Sequence, residues 1–435
     1  MNEVTVVFDE STSVKTGLGL CPNINLYTGR TEFITKFGES TSLEDDLLVL
    51  GAAIFAADLA IKRGQQHHFI RSIELTVPVV NLPSFLNVSE DIVYALNVLS
   101  SDAWKINFVQ RVGQPEGTKD WGVKQTGKVL LFSGGLDSFA AAVTLADDNE
   151  QIQLVSHVTA NHVISGTQNN LTDYLNQAYP NKFSRTAFRV TGIGKPTKGF
   201  PFPQDKEREE TQRTRSFMFL CLAGLVARRQ GYRDVVMIAE NGQMAIHLPL
   251  SAGRISAFST HTAHPEFVSL MSDILSRLLN YKINIDNPFL YMTKAEVVKL
   301  LIPKHQVILE QTVSCWKASR VSHYHHCGIC VPCLIRRIAL EINNVVLSEY
   351  EKDLFQINIS KLNSDDDGKR NLVELCEFIN NFMKNCTMAE MQLLFPELAR
   401  TDCFDAEQVI KMYERFAKEA LMIFKRYPEV MKLIG

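Results

Sequence analysis

Lys128-Val129-Leu130-Leu131-Phe132-Ser133-Gly134-Gly135-Leu136-Asp137-Ser138-Phe139-Ala140-Ala141-Ala142-Val143-Thr144-Leu145 is the stretch from which the rest of this chain is read. Val129–Phe132 is an unbroken apolar run, as in a strand buried on both faces, and Phe139–Leu145 has the composition of a packed helix. Between them, Ser133–Ser138 turns the chain on two glycines. Glycine lets the backbone come close to a ligand and take up positive φ, so that successive N–H groups converge on an oxyanion. The helix that follows adds its positive end, and Ser133 and Ser138 add hydroxyl donors. Asp137 within an anion cradle calls for a cation, and Mg²⁺ bridging phosphates explains a carboxylate there. The plain alternative is a strand–turn–helix corner using glycine for geometry. Five specified positions in this context favour a nucleotide site over Phe132, Ser133, Gly134, Gly135, Leu136, Asp137 and Ser138. No Gly-Lys-Ser/Thr follows, which excludes a Walker A loop.

Around this stretch the chain alternates strand and helix. Further apolar strands are predicted at Gln153–Val158, Thr186–Val190 and Val235–Ala239, separated by helix-length segments. The pattern predicts an α/β fold: a parallel sheet sandwiched by helices, with ligands at the carboxyl ends of the strands. Before it, residues 1–122 read as an α+β extension. Val4–Phe8 and Trp104–Val109 are predicted strands, Asp45–Ile61 a helix rich in small residues, and Ile73, Leu75 and Val77 the inward positions of a half-buried strand. Residues 112–127, with five glycines and prolines among charges, are the most linker-like part of the sequence. The central domain is placed at 123–340 and a helical C-terminal extension at 341–435. In the extension Leu372, Leu375, Cys376 and Ile379, then Val409, Tyr413, Phe416, Ala420 and Ile423, form helical stripes.

Composition narrows the function classes. Of the 435 residues 46% are hydrophobic and 21% charged, which excludes wholesale disorder. No apolar run is long enough to span a bilayer, and Met1-Asn2-Glu3-Val4 has neither a basic nor an apolar leader pattern. A net charge of −3 argues against nucleic acid as a direct substrate. The nine cysteines include four between Cys315 and Cys333, and the odd total argues for a reducing cytoplasm rather than a disulfide framework. Cys21, Cys221, Cys376, Cys386 and Cys403 sit among apolar neighbours and read as small core residues. Cys315, Cys327, Cys330 and Cys333 supply four soft ligands with two C-x₂-C steps, suited to a closed, structural Zn²⁺ shell. An iron–sulfur cluster, or one thiolate replaced by His323, His325 or His326, is also compatible with the spacing.

The glycine loop resembles the PP-loop of the ATP pyrophosphatases, which cleave ATP to AMP and pyrophosphate within an adenine nucleotide alpha-hydrolase-like fold. With the cysteine knot some 180 residues later, the chain resembles the 7-cyano-7-deazaguanine synthases, the QueC-like branch, over roughly residues 128–340. Thr293–Leu300, Thr312–Cys315, Arg336 and Pro265–Val268 agree with this. Two departures stand out. The family's Arg-Asn pair reads Arg215-Ser216, and its Gly-x-Asn appears as Ala239-Glu240-Asn241-Gly242. Family members are also much shorter, and the two extensions resemble the long QueC-like proteins of the QatC type from the Qat anti-phage defence system. Neighbours in that system are an ATPase, a small QatB-like protein and a TatD-type nuclease.

The resemblance implies ATP, Mg²⁺ and Zn²⁺ as cofactors and a deazapurine carboxylate as substrate. Adenylation of the carboxylate, amine attack on the acyl-AMP, and a second adenylation would lead to an amide and then a nitrile of preQ₀ type. By the same resemblance Asp137 and Ser138 are catalytic with Arg215, which would neutralise the α-phosphate; a solvated Arg215 is the plainer alternative. Glu240, Asn241, Glu266 and Arg336 are candidates for binding substrate, with simple capping of the turn as the alternative for the first two. Three functions are compatible with these features: a deazapurine synthase, an enzyme that joins the activated carboxylate to an amine of a partner protein, and a non-catalytic assembly module.

Overall fold

A computed structural model describes residues 2–5, 15–16, 25–63, 70–117, 122, 127–148, 150–159, 162–193, 202–232, 234–251, 261–318, 326–346, 350–384, 387–399 and 402–434. Two parallel-rich sheets organise it. The first contains β1 (Asn2–Thr5), β2 (Lys15–Thr16), β4 (Ser72–Val79) and β5 (Ala103–Gln110) in the order β2-β1-β4-β5, with β4 parallel to both β1 and β5. The predicted first strand ends at Thr5; its remainder, Val6–Phe8, lies outside the described residues, as do Cys21, Cys386, His323, His325 and most of the expected linker after residue 117. A two-stranded antiparallel ribbon joins β3 (Asn25–Thr28) to β9 (Val190–Ile193), so the N-terminal segment pairs directly with the middle of the chain.

The second sheet is parallel throughout. Its order is β11-β10-β6-β7-β8, with β6 at Lys128–Leu131, β7 at Ile152–His157, β8 at Phe183–Phe188, β10 at Asp234–Met237 and β11 at Asn284–Asp286. Successive residues of its central strands face different cores. Val129 and Val155 pack with Phe217 and Leu220 of the helix Arg215–Gln230, whereas Leu130 and Leu154 pack with Phe139 and Ala142 of the helix Leu136–Asp147. Burial on both sides explains why these strands read as continuous apolar runs. The chain leaves β6 toward β7 and β8 on one side, while β10 and β11 lie on the other. The gap between the carboxyl ends of β6 and β10 is therefore the switch point at which such sheets bind ligands.

The N-terminal helix Ser42–Ala60 begins on a Thr41–Glu44 capping box and is buried along nearly its whole length. It lies against Arg215–Gln230, and the contact is ionic as well as apolar. Arg229 donates to both carboxylate oxygens of the fully buried Glu44 at 2.6 Å, and Asp58 Oδ2 accepts from Thr214 N–H and Thr214 Oγ1 at 2.9 Å. In the C-terminal segment both expected stripes are buried, on the helices Asp367–Met383 and Ala406–Phe424, where they share a core with the helix Val331–Ile342. No helix among the described residues is long and apolar enough to cross a membrane.

Candidate active site

The glycine loop leaves β6 at the centre of the sheet. Phe132 is fully buried and donates its N–H to Val155 O at 2.8 Å, while its carbonyl accepts from Ser156 Oγ at 2.9 Å. Gly134 has φ +82°, and a Cβ there would stand 3.2 Å from Gln168 Cγ and 3.3 Å from Thr167 Cγ2. Both the left-handed backbone and the close packing therefore require glycine. Gln168 Nε2 donates to Ser133 O at 3.2 Å, and Val313 N–H to Gly134 O at 3.1 Å, which fixes the loop from two other segments.

Gly135 caps the helix Leu136–Asp147 with no side-chain hydrogen bond. The first intrahelical bond is Phe139 N–H to Gly135 O at 3.1 Å, leaving the N–H groups of Leu136, Asp137 and Ser138 without an acceptor among the described residues. Such orphan donors at a helix start are where an anion binds. Ser133 Oγ and Ser138 Oγ lie 3.2 Å apart at the same end, and Ser138 Oγ donates to Gly135 O at 3.0 Å.

Asp137 is 9% exposed and both its oxygens are engaged. Lys294 Nζ donates to Oδ1 at 2.8 Å and Asn241 Nδ2 to Oδ2 at 2.9 Å. Asn241 is fully buried just beyond β10, and its Oδ1 has no hydrogen-bond partner among the described residues. Lys294 opens the helix Lys294–Lys299, which starts on a Thr293–Glu296 capping box, and its backbone N–H donates to Gln243 Oε1 at 2.7 Å. Glu240 precedes Asn241. Burial first, and then the negative charge of Asp137, raise its carboxyl to about 7. Asn287 clasps its backbone, accepting from Glu240 N–H at 3.2 Å and donating to Glu240 O at 2.8 Å.

The structure thus brings Ser133–Ser138, Glu240 and Asn241 together and adds Lys294. Sequence reasoning quoted Lys294 within a run without giving it a role; the signal was the Thr-x-x-Glu box, which places the lysine at the first turn of a helix. The other candidates make no hydrogen bond to Asp137 among the described residues. Arg215 opens its helix just after Thr214, which Asp58 holds. Its guanidinium lies 5.3 Å from the Phe219 ring centroid and makes no ion pair among the described residues, and burial lowers its pKa to about 10. Its charge, after burial, also holds His157 down at about 3, which places Arg215 by the carboxyl end of β7. Glu266, in the first turn of the helix Pro265–Leu279, accepts from Tyr94 Oη at 2.6 Å. Arg336 is fully buried and donates to Thr312 Oγ1 at 2.8 Å, Ser314 Oγ at 3.0 Å and Leu309 O at 2.6 Å. It therefore fixes the segment whose Val313 holds Gly134.

The same segment leads into the cysteine cluster. The Sγ atoms of Cys315, Cys327, Cys330 and Cys333 all lie within 4.8 Å of one another and are buried. Cys327 and Cys333 are 3.9 Å apart, Cys315 and Cys330 4.0 Å. Four thiolates about 2.3 Å from one tetrahedral Zn²⁺ would be about 3.8 Å apart, so the set fits a single ion with a closed shell. Cys330 caps the helix Val331–Ile342, whose positive end favours thiolates. Gly328 has φ +74°, and a Cβ there would run into Lys352 O. His326 stands beside the cluster with Nε2 accepting from Ser314 N–H at 3.3 Å.

Residues 201–344 match the family model described as "Queuosine biosynthesis protein QueC". That range includes Asn241, Lys294 and the four cysteines, and begins after the glycine loop. The chain is also similar to the 7-cyano-7-deazaguanine synthase of Sulfolobus acidocaldarius, at 25% identity over 232 residues, 50% of this chain and 46% of that protein. It therefore spans less than half the length of the curated relative it matches. The part of the chain that carries the Asp137 partners Asn241 and Lys294 and the four-cysteine centre is thus the part that is similar to the QueC family.

Proposed function

We propose that this protein uses ATP to adenylate a carboxylate of the 7-carboxy-7-deazaguanine class and passes the activated acyl group to an amine. One observation carries the reading: a helix start with three unanswered N–H groups lies over an Asp137–Lys294–Asn241 cluster at the switch point of a parallel sheet. A carboxylate resists amines because oxide is a poor leaving group. Attack of a carboxylate oxygen on the α-phosphorus breaks the α–β bond, giving acyl-AMP and pyrophosphate. The amine then adds to the acyl carbon, AMP leaves with the carboxylate oxygen, and one proton is released. Where the amine is ammonia, a second adenylation, of the primary amide's oxygen, releases a second pyrophosphate, and loss of AMP and of the two amide N–H protons then gives the nitrile.

The N–H groups of Leu136–Ser138 and the hydroxyls of Ser133 and Ser138 would receive the departing pyrophosphate, where negative charge develops. Arg215, a buried cation by the carboxyl end of β7 that makes no ion pair among the described residues, would serve the α-phosphate. Asp137, and Glu240 whose carboxyl its charge influences, would hold one Mg²⁺, which when bound neutralises phosphate charge. Zn²⁺ at the four cysteines would be structural, since a closed shell leaves no open position.

In a conjugating enzyme of the anti-phage Qat type the amine belongs to a partner protein, and the extensions would dock it; in an ordinary preQ₀ synthase it is ammonia. Carboxylate-dependent exchange of labelled pyrophosphate into ATP tests the activation step. Exchange that vanishes in Asp137→Ala supports it; no exchange with any deazapurine carboxylate, despite ATP binding, supports an assembly module. Intact-mass measurement of co-expressed partner proteins separates the two amines, an Asp137-dependent adduct marking conjugation and free nitrile marking a synthase.

A further inference from the structure

We infer that the C-terminal helix Ala406–Phe424 is a brace that positions Lys294 against Asp137, with Tyr413, Arg415 and Glu419 as its positioning residues; this rests on the reading of the Asp137 site just given. Three contacts from this one helix converge on the two short segments that flank the site. Tyr413 Oη donates to Gln243 O and accepts from Leu248 N–H, both at 3.2 Å. Gln243 in turn receives the backbone N–H of Lys294 on its side-chain oxygen at 2.7 Å. Arg415 grips the other side of the same turn. Its Nε donates to Glu296 Oε1 at 2.7 Å and its Nη2 to Glu296 Oε2 at 3.2 Å and to Tyr291 O at 2.7 Å. Glu419 Oε1 accepts from Thr293 Oγ1 at 3.0 Å. Thr293 and Glu296 are the two halves of the capping box that starts the helix at Lys294, so both the capping box and the Gln243 contact of that lysine's backbone lead to Ala406–Phe424.

The chemistry of Glu419 argues for positioning rather than stability alone. It is mostly buried beside Glu296, its Oε2 has no hydrogen-bond partner among the described residues, and its carboxyl is raised to about 7 by burial. A half-satisfied buried carboxyl costs stability, and an apolar side chain would hold the helices together more cheaply. What it supplies is a directed acceptor for Thr293. The Arg415–Glu296 pair is partly exposed, so its energy is small, but its two-point geometry fixes orientation.

The test compares Tyr413→Phe, Arg415→Met, Glu419→Leu and Glu419→Gln in the full chain. One readout is independent of activity: the rate at which Lys294 is acetylated by acetic anhydride, read by peptide mass spectrometry against the exposed Lys304 and Lys411. In wild type Lys294, 7% exposed and paired with Asp137, should be protected. Tyr413→Phe, Arg415→Met and Glu419→Leu should each label it about tenfold faster, a loosening of the size expected for coupled neighbours. Glu419→Gln, which keeps an acceptor for Thr293, should restore protection. In pyrophosphate exchange the same variants should lose kcat by about tenfold with KM for ATP unchanged, because the brace acts on Asp137 through Lys294. Unchanged labelling in all three folded variants would overturn the inference. Faster labelling in a protein without any exchange activity would uphold the brace and overturn the adenylation reading instead.

Discussion

Replacing Lys294 with methionine keeps the length of the side chain and removes the cation 2.8 Å from Asp137 Oδ1. The two side chains are only 7% and 12% exposed, so the carboxylate left behind is largely desolvated and faces Glu240. Breaking a buried pair on one side costs about 3–5 kcal/mol. Asn241 Nδ2 still donates to Oδ2, so a loss of roughly 3 kcal/mol is expected. Urea unfolding of wild type and Lys294→Met measures it. Carboxylate-dependent exchange should fall about 10²–10³-fold in parallel, the usual cost of losing one preorganised electrostatic group. A destabilisation under 1 kcal/mol, together with wild-type exchange, would refute the placement of Lys294 on Asp137.

Further outcomes follow from other parts of the molecule. Cys330→Ser should release one Zn²⁺ per chain and lower solubility and melting temperature before it alters exchange in the protein that stays folded; metal analysis showing iron and sulfide in wild type would contradict the single-ion fit. Glu240 has a folded pKa of about 7, above its unfolded value, so its contribution to stability is complete below about pH 4.5 and is lost as pH rises through 7. Glu240→Gln should therefore flatten the fall in urea midpoint between pH 5 and 8, and an unchanged slope would count against its burial beside Asp137. Arg229→Met leaves Glu44 buried and unpaired and should cost about 3–5 kcal/mol, whereas the double variant with Glu44→Gln should recover most of it.

Much of this arrangement is visible in the sequence where local chemistry is strong. The β6–loop–helix unit announces itself through an apolar run, two glycines and an alanine-rich helix, and the stripes of the C-terminal helices through 3.6-residue spacing. The illegible parts are those set by distant pairing. β11, three residues reading Asn284-Ile285-Asp286, has no apolar run because it is a short edge strand. The β3–β9 ribbon and the Asp58–Thr214 contact join segments more than 150 residues apart, and neither leaves a periodic trace. Lys294 shows the same limit within the site. A lysine at the start of a capped helix is ordinary until the fold sets it against Asp137.

The central claim, carboxylate activation through an acyl-adenylate, is tested most directly by oxygen transfer. The protein is incubated with ATP, an amine and 7-carboxy-7-deazaguanine labelled with ¹⁸O in both carboxylate oxygens, and the nucleotide product is read by mass spectrometry. Adenylation requires that each AMP released on amide formation carry one heavy oxygen from the carboxylate, and that Asp137→Ala release none. ADP with heavy oxygen in inorganic phosphate, or AMP without label, would contradict it.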